Sequence, residues 1–280
     1  MIILNEKIMN ALRCPICKAS MTRKDNSLLC EGARAHCYDI AASGYVNLCS
    51  PKQSGGGDSK QAVNARSEFL NGGFYSPVSD AICDTVSQYC DSDAFVIDAG
   101  CGEGYYSMNI SDKDFAVFGV DLSKFAVMTA SKRASRVSSS RAFFATASVY
   151  EIPVADGCAD AVVNVFAPCA EAEFSRALTK GGVLIVAWAG ERHLWGLKQA
   201  IYDDVHQNSQ RADLPKALTP IDEKRISYKI RLDNNKDVLA LFSMTPYYWR
   251  TSEKDVEKLN NVQALETEID IMISVYKKTV

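Results

Sequence analysis

The chain has 280 residues, of which 47% are hydrophobic, so it is long enough for one large domain and a small one. Its formal net charge of −3 excludes binding of nucleic acid through overall basicity, and any such contact needs a local patch. No apolar run reaches the roughly 20 residues that span a bilayer, which argues against a membrane protein.

The first residues, Met1 to Lys7, lack the charged start and the cleavage site of a secretory signal peptide. We therefore expect a cytoplasmic protein with no membrane partner. In that compartment the ten cysteines are expected to be thiols or metal ligands rather than disulfides.

The N-terminal segment contains a set of metal-ligating residues. Cys14 and Cys17 form a Cys-x-x-Cys pair, Cys30 follows, and His36 and Cys37 are adjacent. This spacing predicts a tetrahedral Zn²⁺ site, in which only one of the two adjacent residues need bind. A redox pair is the rival interpretation, but no βαβ unit surrounds the motif. We expect residues 1–49 to be a zinc-binding module, folded largely by its metal.

A polar, glycine-rich stretch predicts a flexible linker over residues 50–60. An α/β region, residues 61–280, follows it. Its pattern predicts helices at 61–71, from after Pro77 through Tyr89, and at 105–111, 123–134, 171–178 and 192–207. Strands are expected at 94–98, 115–121, 142–146, 160–166 and 182–189, and the last, partly antiparallel strands within 218–280. This alternation is typical of a doubly wound parallel sheet.

The most informative segment is the glycine turn that follows the first of these strands. An apolar run ends in Asp98, and Gly100, Gly102 and Gly104 follow at alternate positions. Such a turn at the carboxyl end of a strand lets a ligand approach the backbone closely. The spacing differs from the Gly-x-Gly-x-x-Gly of dinucleotide folds. It resembles motif I of class I S-adenosyl-L-methionine (SAM) methyltransferases.

A second acid, Asp121, ends the next apolar strand, 17 residues after Gly104. A carboxylate at this place can accept hydrogen bonds from both ribose hydroxyls of a nucleoside cofactor. The alternative is that Asp121 only caps the helix that begins near Ser123. The sequence thus predicts cofactor contacts from Asp98, Gly100 and Asp121.

The motifs together resemble those of the RlmA family of 23S rRNA (guanine-N1)-methyltransferases, over nearly the whole chain. The segments that carry this resemblance are Cys14 to Cys17, His36 to Asp39, Gly44 to Leu48, Asp98 to Tyr106, Phe166 to Cys169, Arg192 to Leu194 and Met244 to Pro246.

The resemblance implies zinc at Cys14, Cys17, Cys30 and His36. It implies SAM contacts from Tyr75, Gly102, Glu103 and His193, and a guanine in a 23S rRNA hairpin as the substrate. It also implies that residues 1–49 recognise the RNA and that residues 61–280 are the SAM-dependent methyltransferase domain. A homodimer is a further expectation of the family likeness. Five residues separate Cys30 from His36 where the family usually has three, which keeps Cys37 open as the fourth ligand.

Two residues have alternative roles in the chemistry. Phe166 follows the fourth strand and could stack on a flipped guanine or pack in the core. His193 could accept the guanine N1 proton, although the resemblance places it at the cofactor. The rival functions are a small-molecule SAM methyltransferase with a structural zinc knuckle and an inactive zinc-dependent RNA-binding protein.

Overall fold

The computed structural model describes residues 4–50, 57–137, 139–208 and 214–279. The N-terminal segment begins with helix α1 (Glu6–Ala11), where the Asn5 side chain accepts a hydrogen bond from Lys7 N at 2.9 Å and caps the helix. Strands β1 (Met21–Lys24), β2 (Ser27–Cys30) and β3 (Cys37–Asp39) follow and form a small antiparallel sheet. This segment is too small to bury a core alone.

The rest of the chain builds one large sheet with helices on both faces. Its elements are β4 (Val46–Asn47), α2 (Lys60–Asn71), α3 (Ser76–Tyr89), β5 (Phe95–Ala99), α4 (Tyr105–Ser111), β6 (Ala116–Asp121), α5 (Lys124–Ala134), β7 (Ala142–Thr146), β8 (Ala159–Val165), α6 (Glu171–Ala177), β9 (Leu178–Ala189), α7 (Trp195–Ile201), β10 (Thr219–Leu232), α8 (Asn235–Ser243), α9 (Glu253–Leu259) and β11 (Leu265–Lys277). A short 3₁₀ turn, Pro246–Trp249, lies between α8 and α9.

The strand order is β10-β11-β9-β8-β5-β6-β7-β4. Strands β4 to β9 pair in parallel, and β11 runs antiparallel between β9 and β10. Strand order reverses at β5, so the carboxyl ends of β5, β6 and β8 border a crevice where ligands bind in open α/β sheets. The doubly wound, largely parallel sheet predicted from the sequence is confirmed.

The central strands are buried on both faces, which explains their continuous apolar sequences. Along β5, Val96 faces a core that α3, α7 and α8 cover, whereas Phe95 and Ile97 face the opposite core. Ile8 and Leu12, at and just after α1, belong to that opposite core and are fully buried. The N-terminal segment therefore packs directly on the sheet.

Strand β4 is a second point at which the N-terminal segment joins the large sheet. Asn47 pairs with Thr146 of β7, and Thr146 pairs in turn with Asp121 of β6. The sequence carries no signal for β4, because two residues are too few to show a periodic pattern. Strand β4 places the end of the N-terminal segment at the carboxyl edge of the sheet, where Asp121 also lies.

Two predictions of secondary structure need correction. The helix expected over 192–207 covers only Trp195–Ile201, because Leu194 adopts a left-handed conformation (φ 58°) at its start. The segment expected to supply strands after 218 also contains α8 and α9. Residues 51–56 of the predicted linker lie outside the described residues. In the described ranges, no helix is both long and apolar enough to cross a membrane.

Candidate cofactor and metal sites

The glycine turn after β5 has the backbone that its sequence predicts. Gly100, Gly102 and Gly104 all have positive φ angles, of 88°, 54° and 79°. A side chain at Gly104 would also place its Cβ 2.8 Å from the Cβ of Ala130 on α5. The turn therefore requires glycine both for its conformation and for close helix packing.

Asp121 fixes this turn from the neighbouring strand. The Gly102 N–H donates to Asp121 Oδ2 at 3.1 Å, and the Ser123 N–H donates to Asp121 Oδ1 at 2.7 Å. Ser123 is the N-cap of α5, so Asp121 supports the start of that helix as well. Each carboxylate oxygen retains a lone pair that can accept from a ligand hydroxyl.

Asp98 and Glu103 add two carboxyl groups to the same turn. Asp98 is buried and its Oδ2 accepts from Ser107 Oγ at 2.5 Å. Burial raises the pKa of Asp98 to about 7, and the charges of Asp121 and Glu103 add to the rise. Burial also raises the pKa values of Glu103 and Asp121, although the guanidinium of Arg66 opposes this at Glu103. A positively charged ligand would relieve this crowding of carboxyl groups.

The turn also contains a buried acceptor without a partner. Glu103 is 2% exposed, and within the described ranges its Oε1 has no hydrogen-bond partner. Buried polar atoms are normally paired, so an unpaired one at a glycine turn indicates a ligand. SAM fits these residues, because it carries a sulfonium, an ammonium group and a ribose. The cofactor-binding residues themselves remain a prediction.

Tyr75 and His193 lie together at the other side of the crevice. Tyr75 precedes α3 and is 2% exposed, and its Oη lies 3.3 Å from His193 Nε2. The second ring nitrogen of His193, Nδ1, accepts from the Asp270 N–H at 3.3 Å. Burial lowers the pKa of His193 to about 3. A histidine with this pKa is a poor proton acceptor, which argues against its role as the general base.

Phe166 joins His193 to the glycine turn. Its ring lies parallel to that of His193, with centroids 6.0 Å apart, and Phe166 is 46% exposed. Its φ of 54° is unusual for a bulky residue and is typical of functional sites. Ordinary core packing is therefore the wrong interpretation of Phe166. The next residue, Ala167, lies against Gly100.

Two further side chains, Asn164 and Arg66, shape this crevice. Asn164, at the end of β8, donates to Ala99 O at 3.1 Å and to Pro168 O at 3.2 Å, which ties the loops after β5 and β8 together. Arg66 on α2 forms an ion pair with Asp58 at 2.6 Å. The sequence had already indicated the segment from Asn164 to Pro168. Arg66 gave no signal, because Gly102 and Glu103, which it faces at the glycine turn, are distant in sequence.

The predicted metal ligands meet in one cluster. The donor atoms of Cys14, Cys17, Cys30 and His36 all lie within 4.8 Å of one another. His36 Nδ1 is 3.5 Å from Cys14 Sγ, and Cys17 Sγ is 3.7 Å from Cys30 Sγ. Tetrahedral zinc with Zn–S bonds of about 2.3 Å requires sulfur atoms about 3.8 Å apart, so the donor set fits Zn²⁺.

The neighbouring groups distinguish the two candidates for the fourth ligand. Cys37 is exposed, and its Sγ faces Asp39 at 4.0 Å, away from the cluster. The Tyr38 hydroxyl lies 3.2 Å from Cys14 Sγ, which is the kind of outer contact that orients metal ligands. The geometry thus favours His36 over Cys37.

Comparison with known proteins finds a match for each of the two parts of the chain. Residues 91–235 match a family model described as a methyltransferase domain, and residues 12–54 match the N-terminal zinc ribbon of RlmA. The fold also resembles the YcgJ protein from Bacillus subtilis, with a TM-score of 0.50 and 15% identity, over 72% of this chain and 98% of that one.

Three curated relatives extend over most of the chain. The 23S rRNA (guanine(748)-N(1))-methyltransferase of Streptomyces fradiae is 29% identical and covers 91% of both chains. YxjB of Bacillus subtilis strain 168, assigned to the 23S rRNA (guanine-N1)-methyltransferases, is 30% identical over 95% of this chain and 96% of its own. A Micromonospora griseorubida protein with the same assignment is 31% identical over 86% and 87%.

The fold, the glycine turn and the zinc cluster define a class I SAM-dependent methyltransferase with an N-terminal zinc ribbon. Within that class, the chain belongs to the RlmA family of 23S rRNA (guanine-N1)-methyltransferases.

Proposed function

We propose that this protein transfers a methyl group from SAM to N1 of a guanine in a hairpin of 23S rRNA. The observation that carries the proposal is the presence of a zinc-ligand cluster and a glycine turn in one chain. Along 95% of its length this chain aligns with a relative that is named as an rRNA methyltransferase. The site of action is then the bacterial cytoplasm, and the partner is the rRNA.

The cofactor supplies an electrophilic methyl group on its sulfonium. In this proposal Asp121 accepts from the ribose hydroxyls, and the free Oε1 of Glu103 accepts from a donor of the cofactor. Asp98 supports the turn through Ser107. Gly100 and Gly102 leave the backbone open for close approach.

We assign the target guanine to the exposed face of Phe166. A flipped base gains roughly 1–3 kcal/mol by stacking on an aromatic side chain. Phe166 offers one face of its ring to His193 and leaves nearly half of its surface to solvent, at the carboxyl end of β8. Asn164 holds the Phe166 loop against the turn that binds the cofactor.

The zinc ribbon contributes RNA recognition and no chemistry in this proposal. Cys14, Cys17, Cys30 and His36 hold the ion and fix the β1–β3 sheet. Because β4 joins the large sheet beside β7, the ribbon stays close to the crevice. A ribbon in this position can bind hairpin phosphates and shape while the target base enters the crevice.

The test is transfer of labelled methyl from SAM to 23S rRNA by the zinc-loaded protein, with a metabolite extract as the competing substrate. The proposal predicts label in the rRNA and none in the extract. Label in small molecules alone supports the rival small-molecule enzyme, and no transfer to either supports an inactive RNA-binding protein.

A further inference from the structure

The candidate cofactor site is rich in acids. Asp98, Glu103 and Asp121 lie at the glycine turn, and Asp58 lies close enough for its charge to act on Asp121. Acids suit the sulfonium, the ammonium group and the ribose of SAM, but they repel the carboxylate at its amino acid end. Binding of that carboxylate therefore requires a cation near the turn.

Arg66 on α2 supplies a cation at this place. A side chain at Gly102 would place its Cβ 3.6 Å from Arg66 Nη1, so the guanidinium lies beside the residue of the turn that a ligand can approach closely. Burial raises the pKa values of Glu103 and Asp121, and the charge of Arg66 opposes the rise at both. The Arg66 side chain is 27% exposed, so solvent screens its charge only in part.

The segment before α2 holds this guanidinium in place. Arg66 Nη2 lies 2.6 Å from Asp58 Oδ2, and Asp58 O accepts from Ser123 Oγ at 2.8 Å. Gly57 has a φ of 92°, and a side chain there would meet Ser123 N at 2.6 Å. Ser123 N in turn donates to Asp121. A continuous series of contacts thus joins Arg66 to the acid that ends β6.

Arg133 on α5 is a second cation whose charge acts at the turn, but its donors are engaged. Its Nη1 donates to Asn71 Oδ1 at 3.0 Å, and its Nη2 donates to Ser67 Oγ at 2.6 Å. In Arg66 only Nη2 is paired, with Asp58, and within the described ranges Nη1 has no hydrogen-bond partner. Arg66 is therefore the guanidinium with donors available to a ligand.

We propose that Arg66 binds the carboxylate at the amino acid end of the cofactor. A guanidinium offers parallel N–H groups that match the two oxygens of a carboxylate, and such charge-assisted bonds are stronger than neutral ones. The inference rests on the proposed function in taking SAM as the ligand of the crevice. Through Asp58, the end of the predicted linker then belongs to the cofactor site.

The test compares two ligands by calorimetry on the full, zinc-loaded chain. S-adenosylhomocysteine keeps the amino acid end of SAM, whereas its decarboxylated analogue keeps the ammonium group and lacks the carboxylate. The parent is expected to bind S-adenosylhomocysteine at least about 10-fold more tightly than the analogue. Arg66→Gln should lose this preference, because it weakens S-adenosylhomocysteine by about 10-fold and leaves the analogue within about twofold.

Two further variants separate a direct contact from a general effect of charge or folding. Arg66→Lys keeps the charge without the paired donors and is expected to retain a preference of about threefold. Arg133→Gln removes a charge from the same turn and should keep the full preference of the parent.

Equal binding of the two ligands by the parent would overturn the inference and leave the proposed function standing. An Arg66→Gln variant that keeps the preference, or that weakens both ligands to the same extent, would also overturn it, since the second result assigns Arg66 a structural role. If the parent binds neither ligand, the cofactor does not occupy this crevice, and the proposed function fails as well.

Discussion

The Gly102 N–H donates to Asp121 Oδ2 at 3.1 Å, so the acid that ends β6 holds the turn that follows β5. The same carboxylate accepts from Ser123 N through its other oxygen. One side chain thereby sets the shape of the turn and presents oxygen acceptors to a ligand. The two interpretations of Asp121 from the sequence, a ribose acceptor and a helix cap, are compatible in this arrangement.

Replacement of Asp121 by Ala is predicted to weaken S-adenosylhomocysteine binding by at least about 10-fold, since hydrogen bonds to a charged group contribute about 1.5–3 kcal/mol. Calorimetry measures this affinity. Asp84, exposed on α3, offers the matched control, and Asp84→Ala is expected to bind as the parent does. Equal affinity of Asp121→Ala and the parent for S-adenosylhomocysteine would show that Asp121 does not bind the cofactor.

The metal cluster predicts a difference between two adjacent residues. His36→Gln removes a donor that lies 3.3 Å from Cys30 Sγ, whereas Cys37→Ser changes a thiol outside the cluster. Elemental analysis of the purified variants should therefore find close to one zinc per chain for Cys37→Ser and much less for His36→Gln. The opposite result would assign the fourth ligand to Cys37.

Asp98 predicts a pH dependence of stability. Its pKa is about 7 in the folded protein and near 3.8 in the unfolded chain. The folded state therefore binds more protons between these values, and the contribution of Asp98 to stability falls as pH rises from about 4 to 7. Asp98→Asn cannot ionise, so it should gain stability relative to the parent on going from pH 5 to pH 8.

Urea unfolding of both proteins at the two pH values measures this gain, which is expected to exceed about 1 kcal/mol. Groups remote from Asp98 titrate alike in the two chains and cancel in the comparison, whereas Asp121 and Glu103, whose charges are coupled to Asp98, contribute to the measured gain. A stability difference that does not change with pH would show that Asp98 is already ionised in the folded protein at pH 5.

Phe166 is predicted to act on the RNA and not on the cofactor. Phe166→Ala should lower kcat/KM for 23S rRNA by about 5- to 150-fold, which corresponds to the loss of one stacked base. Its affinity for S-adenosylhomocysteine should stay within about twofold of the parent, and Phe166→Tyr should retain activity. Phe125, 42% exposed on α5, provides the comparison variant Phe125→Ala. Unchanged RNA turnover in Phe166→Ala would contradict the stacking assignment.

The sequence predicted the central strands well because buried parallel strands are continuous apolar runs. It also predicted the glycine turn, since positive φ angles select glycine. It did not predict the extent of α7, where Leu194 takes a left-handed conformation that contacts from β11 support. Arg66 and Asp270 were missed because the groups that they contact, the glycine turn and His193, lie far from them in sequence.

Nucleoside analysis of 23S rRNA tests the central claim most directly. The rRNA is incubated with SAM and the zinc-loaded protein. One portion is digested to nucleosides, which mass spectrometry identifies. On an intact portion, reverse transcription locates the modified base. The account predicts 1-methylguanosine at one hairpin position, where the blocked pairing edge stops the transcriptase. A methyl group on another atom or another base, or unmodified rRNA alongside a methylated small molecule, would contradict it.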